Sequence, residues 1–246
     1  MPKVFPRMLY HLVGKAISDF NLIAENDVVL VAVSGGKDSM LLASILAELH
    51  RRAPVKFQVR ALTIDPGGEL GLDPEERATL ESYFESLGVP YNIVPTEIAK
   101  IVEAYPNKKN TACSLCANLR RGALHKTAQE MGANKVALGH HLDDAIESLF
   151  LNMFYQGSLR CFHPRTYLTR REVTVIRPLV YVPEEEIIKA VKRLEIPVLT
   201  AKCPYAGHTL RQAMKDRVTE LAREIPGFRN QLRGALGDLW SPKKEV

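Results

Sequence analysis

Short apolar runs alternate along the chain with segments in which apolar residues recur at helical spacing. The run "DVVLVAV" at residues 27–33 is apolar after its first residue, as is typical of a strand buried on both faces of a parallel sheet. Similar runs predict strands at residues 57–65, 91–95, 135–139, 172–179 and 197–200. Helical spacing and cap residues predict helices at residues 8–23, 38–52, 74–87, 114–131, 142–155 and 183–194, and two more between residues 208 and 240. Strands that alternate with helices predict an α/β fold, a mostly parallel sheet with helices on both faces and helical extensions at the N- and C-terminal ends.

The predicted elements divide the 246-residue chain into three parts: an N-terminal helical segment at residues 1–25, an α/β domain at residues 26–203 and a C-terminal helical extension at residues 204–246. A composition of 46% hydrophobic and 25% charged residues is ordinary for a globular protein. No apolar run approaches the roughly 20 residues that span a bilayer, and the first residues lack the apolar core of a signal peptide. The sequence therefore predicts a cytoplasmic protein with no membrane partner.

Net charge and cysteine content narrow the functional class only in part. The formal net charge of +5 permits a polyanionic partner such as nucleic acid but does not by itself establish one. The four cysteines are Cys113, Cys116, Cys161 and Cys203. In a large cytosolic chain they favour metal binding or redox chemistry over disulfides.

The motif "SGGKDS" at residues 34–39 directly follows the first predicted strand and precedes a helix. Ligands of open parallel sheets lie outside the carboxyl ends of the strands, where free backbone N–H groups and the helix dipole favour an anion. Gly35 and Gly36 allow close approach of a phosphate, Lys37 adds a positive charge, and Ser34 and Ser39 add hydroxyl donors. The pattern is not a Walker A loop, because Val31 stands where that motif requires glycine.

The segment "CSLCANLRRGAL" places Cys113 and Cys116 at the predicted entrance of a helix, separated by two residues. Such a pair supplies two thiolates to one metal or cluster, and a redox dithiol or half of a zinc site are the alternatives. Cys203, in "AKCPYAG", could supply a third thiolate. Cys161 lies in a predicted loop, where it fits an inert small apolar residue better than a spare thiol or a persulfide carrier.

The segment "GHHLDDAIES" follows the fourth predicted strand, on the same rim as the phosphate motif. Asp143 and Asp144 offer hard oxygen ligands suited to Mg²⁺ bound by a triphosphate, although Asp143 could instead cap the following helix. His140 and His141 could be polar contacts to a nucleotide, packed rim residues or metal ligands, of which the last is the least favoured.

The motif "SGGKDS" resembles the pyrophosphate loop of the ATP pyrophosphatases, the PP-loop superfamily with an adenine nucleotide alpha hydrolase-like, Rossmann-like fold. Together with "CSLCANLRRG" and "GHHLDD" it resembles the TtcA-like tRNA 2-thiocytidine synthetases, Fe–S-dependent tRNA thiolases, from about residue 8 to about residue 215. These enzymes split ATP between its α- and β-phosphates and release pyrophosphate. The resemblance gives residues 26–203 as the PP-loop domain with its cluster site.

The resemblance also implies a set of site residues and cofactors. Its cofactors are ATP, Mg²⁺ and a [4Fe–4S] cluster held by Cys113, Cys116 and Cys203, with Asp144 as a Mg²⁺ ligand. The implied catalytic residues are Lys37, Asp38 and Asp144. The implied ATP-binding residues are Ala32, Val33, Ser34, Gly35, Gly36, Lys37, Asp38, Ser39, Thr63, Ile64, Gly139 and Asp144.

The implied reaction adenylates the C2 carbonyl of a tRNA pyrimidine, with cytidine as the expected base, and replaces its oxygen with sulfur held on the cluster. Its partners are tRNA, ATP and a donor of sulfide or of cysteine-desulfurase-derived sulfur, and the chain is expected to form a homodimer. Candidate tRNA contacts are Arg120, Arg121, Arg160 and Arg165, each of which could equally be a solvated surface residue. Two alternatives are another PP-loop ligase or thiolase that acts on a different base or small molecule, and a nucleotide or Fe–S sensor.

Overall fold

The computed structural model describes residues 5–105, 109–200, 202–203 and 210–241. The strands are β1 (Val28–Ala32), β2 (Gln58–Asp65), β3 (Tyr91–Pro95), β4 (Lys135–Ala137), β5 (Arg165–Leu168) and β6 (Val173–Ile176). The helices are α1 (Arg7–Asp19), α2 (Lys37–Arg52), α3 (Pro74–Leu87), α4 (Ile98–Glu103), α5 (Lys109–Glu130), α6 (Leu142–Gln156), α7 (Glu184–Arg193), α8 (Leu210–Glu224) and α9 (Phe228–Trp240). In this described part of the chain, no helix is both long enough and apolar enough to cross a membrane.

The six strands form one sheet in the order β3-β2-β1-β4-β6-β5, and every neighbouring pair is parallel except β5 with β6. The central strand β1 is apolar because both of its faces are covered. Val29 and Val31 belong to one hydrophobic cluster, which includes α2, whereas Leu30 belongs to a second cluster, which includes α5. The predicted α/β fold with a mostly parallel sheet is confirmed.

The helices at both chain ends pack onto the same core as the sheet. Leu9 and Val13 of α1, and Leu236 and Trp240 of α9, belong to the hydrophobic cluster that includes α2. The indole N–H of Trp240 also donates a hydrogen bond to the carbonyl oxygen of Phe162 at 2.8 Å. The division of the chain at residues 25 and 203 stays a prediction.

Several elements differ from the sequence prediction, among them α4, for which no helix was predicted. The strand predicted at residues 197–200 is wrong, because this segment lies outside the sheet and the backbone N–H of Leu199 donates instead to the carbonyl oxygen of Gly35 at 2.9 Å. The antiparallel edge strand β5 lies in a part of the chain for which the sequence predicted no strand. Helix α5 begins before residue 114, so Cys113 and Cys116 lie within the helix, about one turn apart.

Candidate active site

The phosphate motif forms a tight turn between β1 and α2. Gly35 has φ of +78°, and an added Cβ would lie 2.8 Å from Leu199 Cδ1, so both the backbone conformation and the close packing require glycine. Ser39 Oγ donates to the carbonyl oxygen of Gly36 at 2.9 Å and accepts from the backbone N–H of Ser34 at 3.1 Å. No side chain of a described residue caps α2 at Gly36, so the first N–H groups of this helix remain available to an anion.

Lys37, the first residue of α2, lies between two carboxylates. Its Nζ is 3.0 Å from Asp38 Oδ2 and 2.8 Å from Glu184 Oε1, and the same Glu184 oxygen is 2.6 Å from Lys215 Nζ. Burial alone would raise the pKa of Glu184, but hydrogen bonds from Lys215 and Lys37 outweigh it and lower the pKa to about 2. The predicted phosphate-binding lysine is therefore already held in a charged network that links α2, α7 and α8.

The loop between β4 and α6 approaches the first turn of α2 closely. A Cβ on Gly139 would lie 3.0 Å from the carbonyl carbon of Asp38 and 3.0 Å from the backbone nitrogen of Ser39, which explains the glycine at this position. The other oxygen of Asp38, Oδ1, is buried without a hydrogen-bond partner among the described residues and lies 3.7 Å from His141 Nε2. The two predicted motifs therefore meet at one edge of the sheet.

The two adjacent aspartates of this loop have different roles. His141 is the N-cap of α6 and Asp144 completes its capping box: the Asp144 N–H donates to His141 Nδ1 at 3.4 Å, and Asp144 Oδ2 accepts from the backbone N–H of His141 at 3.0 Å. Asp143 is buried and accepts from the backbone N–H of Glu184 at 2.7 Å and from Arg229 Nε at 2.6 Å. The helix cap considered for Asp143 is thus formed by His141 with Asp144, and Asp143 ties α6 to α7 and α9.

His140 is a packed rim residue. Its ring lies 5.1 Å from the Phe162 ring, and burial lowers its pKa to about 4, so the imidazole is neutral at pH 7. Nδ1 of this ring has no hydrogen-bond partner among the described residues.

A cavity of about 270 Å³ opens beside the phosphate motif. It is bounded by the phosphate turn, the end of β2, the turn before α3, helix α5 and the segment that follows residue 197. The lining residues are Ser34, Gly36, Thr63, Ile64, Pro66, Leu70, Gly71, Leu72, Glu76, Cys116, Arg120, Leu199, Thr200, Lys202 and Cys203. A predicted phosphate site and two of the predicted sulfur ligands therefore share one cavity.

Two of the three predicted sulfur ligands, Cys116 and Cys203, line this cavity, and Cys113 lies about one helical turn before Cys116 on α5. Burial raises the pKa of the Cys116 thiol, Arg120 opposes this shift, and the neighbouring thiols of Cys203 and Cys113 add to it. Among the described residues, no group of three or more His, Cys, Asp or Glu side chains is placed to hold a metal ion. Thiolates are the usual ligands of iron–sulfur clusters, so the donor type of Cys113, Cys116 and Cys203 fits such a cluster, although the three thiols do not form a closed ligand set in this structure.

Two contacts fix the segment that carries Cys203. The backbone N–H of Leu199 donates a hydrogen bond to the carbonyl oxygen of Gly35, and Lys202 Nζ contacts residues at the start of α3. This ammonium lies 2.6 Å from Glu76 Oε2, 3.1 Å from Asp73 Oδ2 and 3.2 Å from the carbonyl oxygen of Gly71. The apolar segment predicted as a strand therefore holds Cys203 next to the phosphate turn.

A second, smaller cavity of about 110 Å³ adjoins the first through Ser34, Ile64 and Arg120. Its other lining residues are Ala32, Val33, Leu62, Arg121 and Leu124. Three of the predicted ATP-binding residues, Ala32, Val33 and Ile64, thus line one small, mostly apolar space at the ends of β1 and β2. Thr63 lines only the larger cavity, and its hydroxyl is bonded to Tyr91 Oη at 2.7 Å.

The four arginines predicted to contact tRNA fall into two groups. Arg120 and Arg121 line the cavities, whereas Arg160 and Arg165 are exposed at residues beyond α6, Arg165 on the edge strand β5. Cys161 lines neither cavity, and its Sγ donates to the carbonyl oxygen of Ala145 at 3.3 Å. Burial raises the pKa of the Cys161 thiol to about 11, which keeps it protonated and unreactive.

Glu147, one turn after Asp144 on α6, is expected to make folding stability depend on pH. Its side chain is 3% exposed and lies 3.7 Å from Arg211 Nε, and burial followed by the charge of Asp144 raises its pKa to about 7. The folded state binds the proton of Glu147 more tightly than the unfolded state does. The resulting contribution to the free energy of unfolding is therefore fully present below about pH 4.5 and is lost as the pH rises through 7. We expect Glu147→Gln to raise the free energy of unfolding by about 2 kcal/mol at pH 8.5 and to change it little at pH 5.

Urea denaturation at both pH values measures this difference, with the exposed residue Glu220 on α8, as Glu220→Gln, for the control. Equal effects of Glu147→Gln at the two pH values would contradict the raised pKa.

Several residues of the site carry no motif in the sequence. Glu184 and Lys215 lie in ordinary charged stretches, Lys202 directly precedes Cys203, and the partners of all three are distant along the chain. The only local signal is Glu184 at the start of a helix, where acidic residues are common for reasons unrelated to function.

Comparison with known proteins identifies the family. A profile described as a PP-loop domain matches residues 7–221. The tRNA-cytidine(32) 2-sulfurtransferase of Geobacter sulfurreducens is 42% identical over 236 residues, which cover 95% of this chain and 90% of that protein. The protein of the same name from Pelobacter propionicus is also 42% identical, over 95% of this chain and 86% of its own.

A solved structure supports the fold. The U34-tRNA thiolase NcsA from Methanococcus maripaludis, solved with its [4Fe–4S] cluster, has a TM-score of 0.73 and 22% identity, and the match covers 98% of this chain and 82% of that one. At this identity the likeness concerns the fold alone. The profile match and the 42% identity over nearly the whole chain show that this protein belongs to the PP-loop family and, within it, to the family of the tRNA-cytidine(32) 2-sulfurtransferases.

Proposed function

We propose that this chain is an ATP-dependent tRNA sulfurtransferase that adenylates the C2 carbonyl of a tRNA cytidine and replaces its oxygen with sulfur. The observation that carries the proposal is the cavity shared by the phosphate turn, at Ser34 and Gly36, and by the thiols of Cys116 and Cys203. The family supports the target, because the curated relatives are named for position 32 of tRNA. The NcsA structure, which contains a [4Fe–4S] cluster on the same fold, supports the cofactor.

ATP binds across the two cavities in this proposal. The adenine lies against Ala32, Val33 and Ile64 in the smaller cavity, and the phosphates lie at the N-terminus of α2. The Gly36 amide and Lys37 stabilise the charge that develops on the leaving pyrophosphate. Asp144, which is partly exposed at the same rim, ligates Mg²⁺ together with the phosphates, and Asp38 faces them from the first turn of α2.

Cys113, Cys116 and Cys203 hold the cluster in this proposal. When bound by these three thiolates, the cluster would supply the sulfur that replaces the oxygen. Arg120 lies beside Cys116 and lines both cavities, so its positive charge favours the thiolate of Cys116 and faces the phosphates. Lys202 holds the Cys203 segment against α3.

The chemistry balances with ATP, tRNA and sulfide as the reactants. The C2 oxygen of the cytidine attacks the α-phosphorus, the bond between the α-phosphorus and its bridging oxygen breaks, and pyrophosphate leaves with that electron pair. Sulfide then adds to C2, and the C2–oxygen bond breaks as AMP departs with the former carbonyl oxygen. No redox change occurs in either step. The base reaches the cavity splayed out of the tRNA loop.

The remaining partners are also part of the proposal. Exposed Arg160 and Arg165 contact tRNA phosphates, and the formal net charge of +5 favours such a polyanion. The sulfur comes from sulfide or from a cysteine desulfurase, and the protein acts in the cytoplasm as a homodimer. The PP-loop domain with the cluster site occupies residues 26–203, between helical parts at residues 1–25 and 204–246.

The test uses full-length protein purified without oxygen, ATP, Mg²⁺, sulfide and a tRNA transcript with cytidine at position 32. We expect equal amounts of AMP, pyrophosphate and 2-thiocytidine, measured by mass spectrometry. A transcript with uridine at position 32 is expected to give no 2-thiocytidine. Pyrophosphate without any thionucleoside would instead indicate an adenylating ligase. A colourless protein with one equivalent of zinc would overturn the cluster assignment.

A further inference from the structure

Glu184 and Lys215 lie beside the phosphate turn and are outside every motif. We propose that Glu184 is a positioning residue that holds Lys37 before ATP binds and releases it to the polyphosphate, while Lys215 keeps the freed Glu184 carboxylate paired. This inference rests on the proposed function, since it concerns how the same site takes up ATP and lets pyrophosphate go. It assigns α7 and α8 a part in phosphate handling.

The geometry is that of one carboxylate oxygen shared by two lysines. Glu184 Oε1 lies 2.8 Å from Lys37 Nζ and 2.6 Å from Lys215 Nζ, distances typical of charge-assisted hydrogen bonds. The Glu184 side chain is only 14% exposed, so solvent screens these contacts less than it screens surface pairs. Breaking the contact with Lys37 would leave a largely buried carboxylate without its partner if Lys215 were absent.

The backbone of Glu184 is anchored, which limits how far its side chain can follow Lys37 towards a ligand. It is the first residue of α7, and its backbone N–H donates to Asp143 Oδ2 at 2.7 Å. The other oxygen of Asp143 is held by Arg229 Nε at 2.6 Å, so the start of α7 is fixed to α6 and α9. Any exchange of partners therefore moves the long, flexible lysine side chain and leaves the carboxylate in place.

The charges in this network cancel before a nucleotide arrives. Two ammonium groups, Lys37 and Lys215, face two carboxylates, Asp38 and Glu184, each within 3.0 Å of a partner. Lysine has three N–H donors, and the two carboxylates engage Lys37 at two positions. A polyphosphate must compete with Glu184 for Lys37, and pyrophosphate leaves more readily when Glu184 can take Lys37 back.

The test measures the dissociation constants of ATP and inorganic pyrophosphate by isothermal titration calorimetry on the full-length protein. Removing the competing charge in Glu184→Gln is expected to tighten pyrophosphate binding about fivefold, and Lys215→Met is expected to weaken it about fivefold. The double variant restores neutrality and is expected to lie within about twofold of the parent protein. Glu186→Gln and Lys189→Met, which remove an exposed ion pair of 2.7 Å on the same helix, are the matched controls.

A general field effect is separated from partner exchange in the Lys37→Met background. Without Lys37, Glu184 has no lysine to release to the polyphosphate. The fold-change in pyrophosphate affinity caused by Glu184→Gln is therefore expected to be smaller than in the presence of Lys37, by a factor of about three or more. A parent protein that binds neither ATP nor pyrophosphate would overturn the proposed function itself. A parent protein that binds both, with Glu184→Gln no tighter or with equal effects in both backgrounds, would overturn only the role of Glu184. If Glu184→Gln fails to fold, an unchanged affinity in Lys215→Met has the same meaning.

Discussion

Replacing Cys116 with serine is expected to abolish tRNA thiolation while leaving ATP binding intact. Cys116 is half-buried in α5 and lines the cavity together with Cys203, and serine fills nearly the same space in a helix. A serine hydroxyl does not replace a thiolate as an iron ligand at neutral pH, so the proposed cluster site loses one of its three proposed ligands. We expect 2-thiocytidine formation to fall by about a thousandfold or more, and the dissociation constant of ATP to stay within about threefold.

Cys161→Ser is the matched control for this loss. Cys161 lines neither cavity, and its thiol hydrogen bond to the carbonyl oxygen of Ala145 can be donated equally by a hydroxyl. We expect thiolation by this variant to remain within about threefold of the parent. Iron and sulfide content after anaerobic reconstitution measures the cluster independently of activity. Full iron content in Cys116→Ser, or loss of thiolation in Cys161→Ser, would place the sulfur site elsewhere.

Local patterns in the sequence were sufficient to predict most of the sheet. The strands predicted at 57–65 and 91–95 agree with β2 and β3 to within one residue, because apolar runs between turn residues are local signals. The apolar segment at 197–200 has the same pattern, but its apolar side chain Leu199 packs on Gly35 instead of entering the sheet. Strand β5 was missed for the opposite reason, since Arg165 and Tyr167 are both exposed and its pairing with β6 is a tertiary contact.

The sequence motifs predicted which segments form the site, but they did not predict the hydrogen bonds and ion pairs between its side chains. "SGGKDS" and "GHHLDD" meet because both follow parallel strands of one sheet, as the rule for open sheets implies. The separate roles of Asp143 and Asp144 could not be read from two adjacent identical residues, because Arg229 and Glu184 engage Asp143 from distant elements while Asp144 pairs locally with His141. The same limit applies to Lys37, whose partner Glu184 lies far along the chain.

Lys37→Met is expected to lower the rate of pyrophosphate formation by about a hundredfold to a thousandfold. The variant loses the positive charge next to the leaving phosphate group, and it also changes the balance of the surrounding charges. Asp38 and Glu184 would then face the polyphosphate with only Lys215 as compensation, so repulsion adds to the lost attraction. Quantification of AMP and pyrophosphate under single-turnover conditions measures this effect, and thiolation should fall by the same factor.

Lys37→Arg separates charge from geometry in this prediction. The guanidinium keeps the positive charge between Asp38 and Glu184 but presents it as a planar fork, so we expect ATP affinity near that of the parent and a rate about tenfold lower.

A mixture of Lys37→Met and Cys116→Ser chains, co-expressed so that subunits can exchange, is expected to remain inactive. The cavity that joins Gly36 to Cys116 is built within one chain, so each site would still lack either its lysine or its thiol. Restored thiolation in that mixture would mean that the phosphate turn of one chain works with the thiols of another.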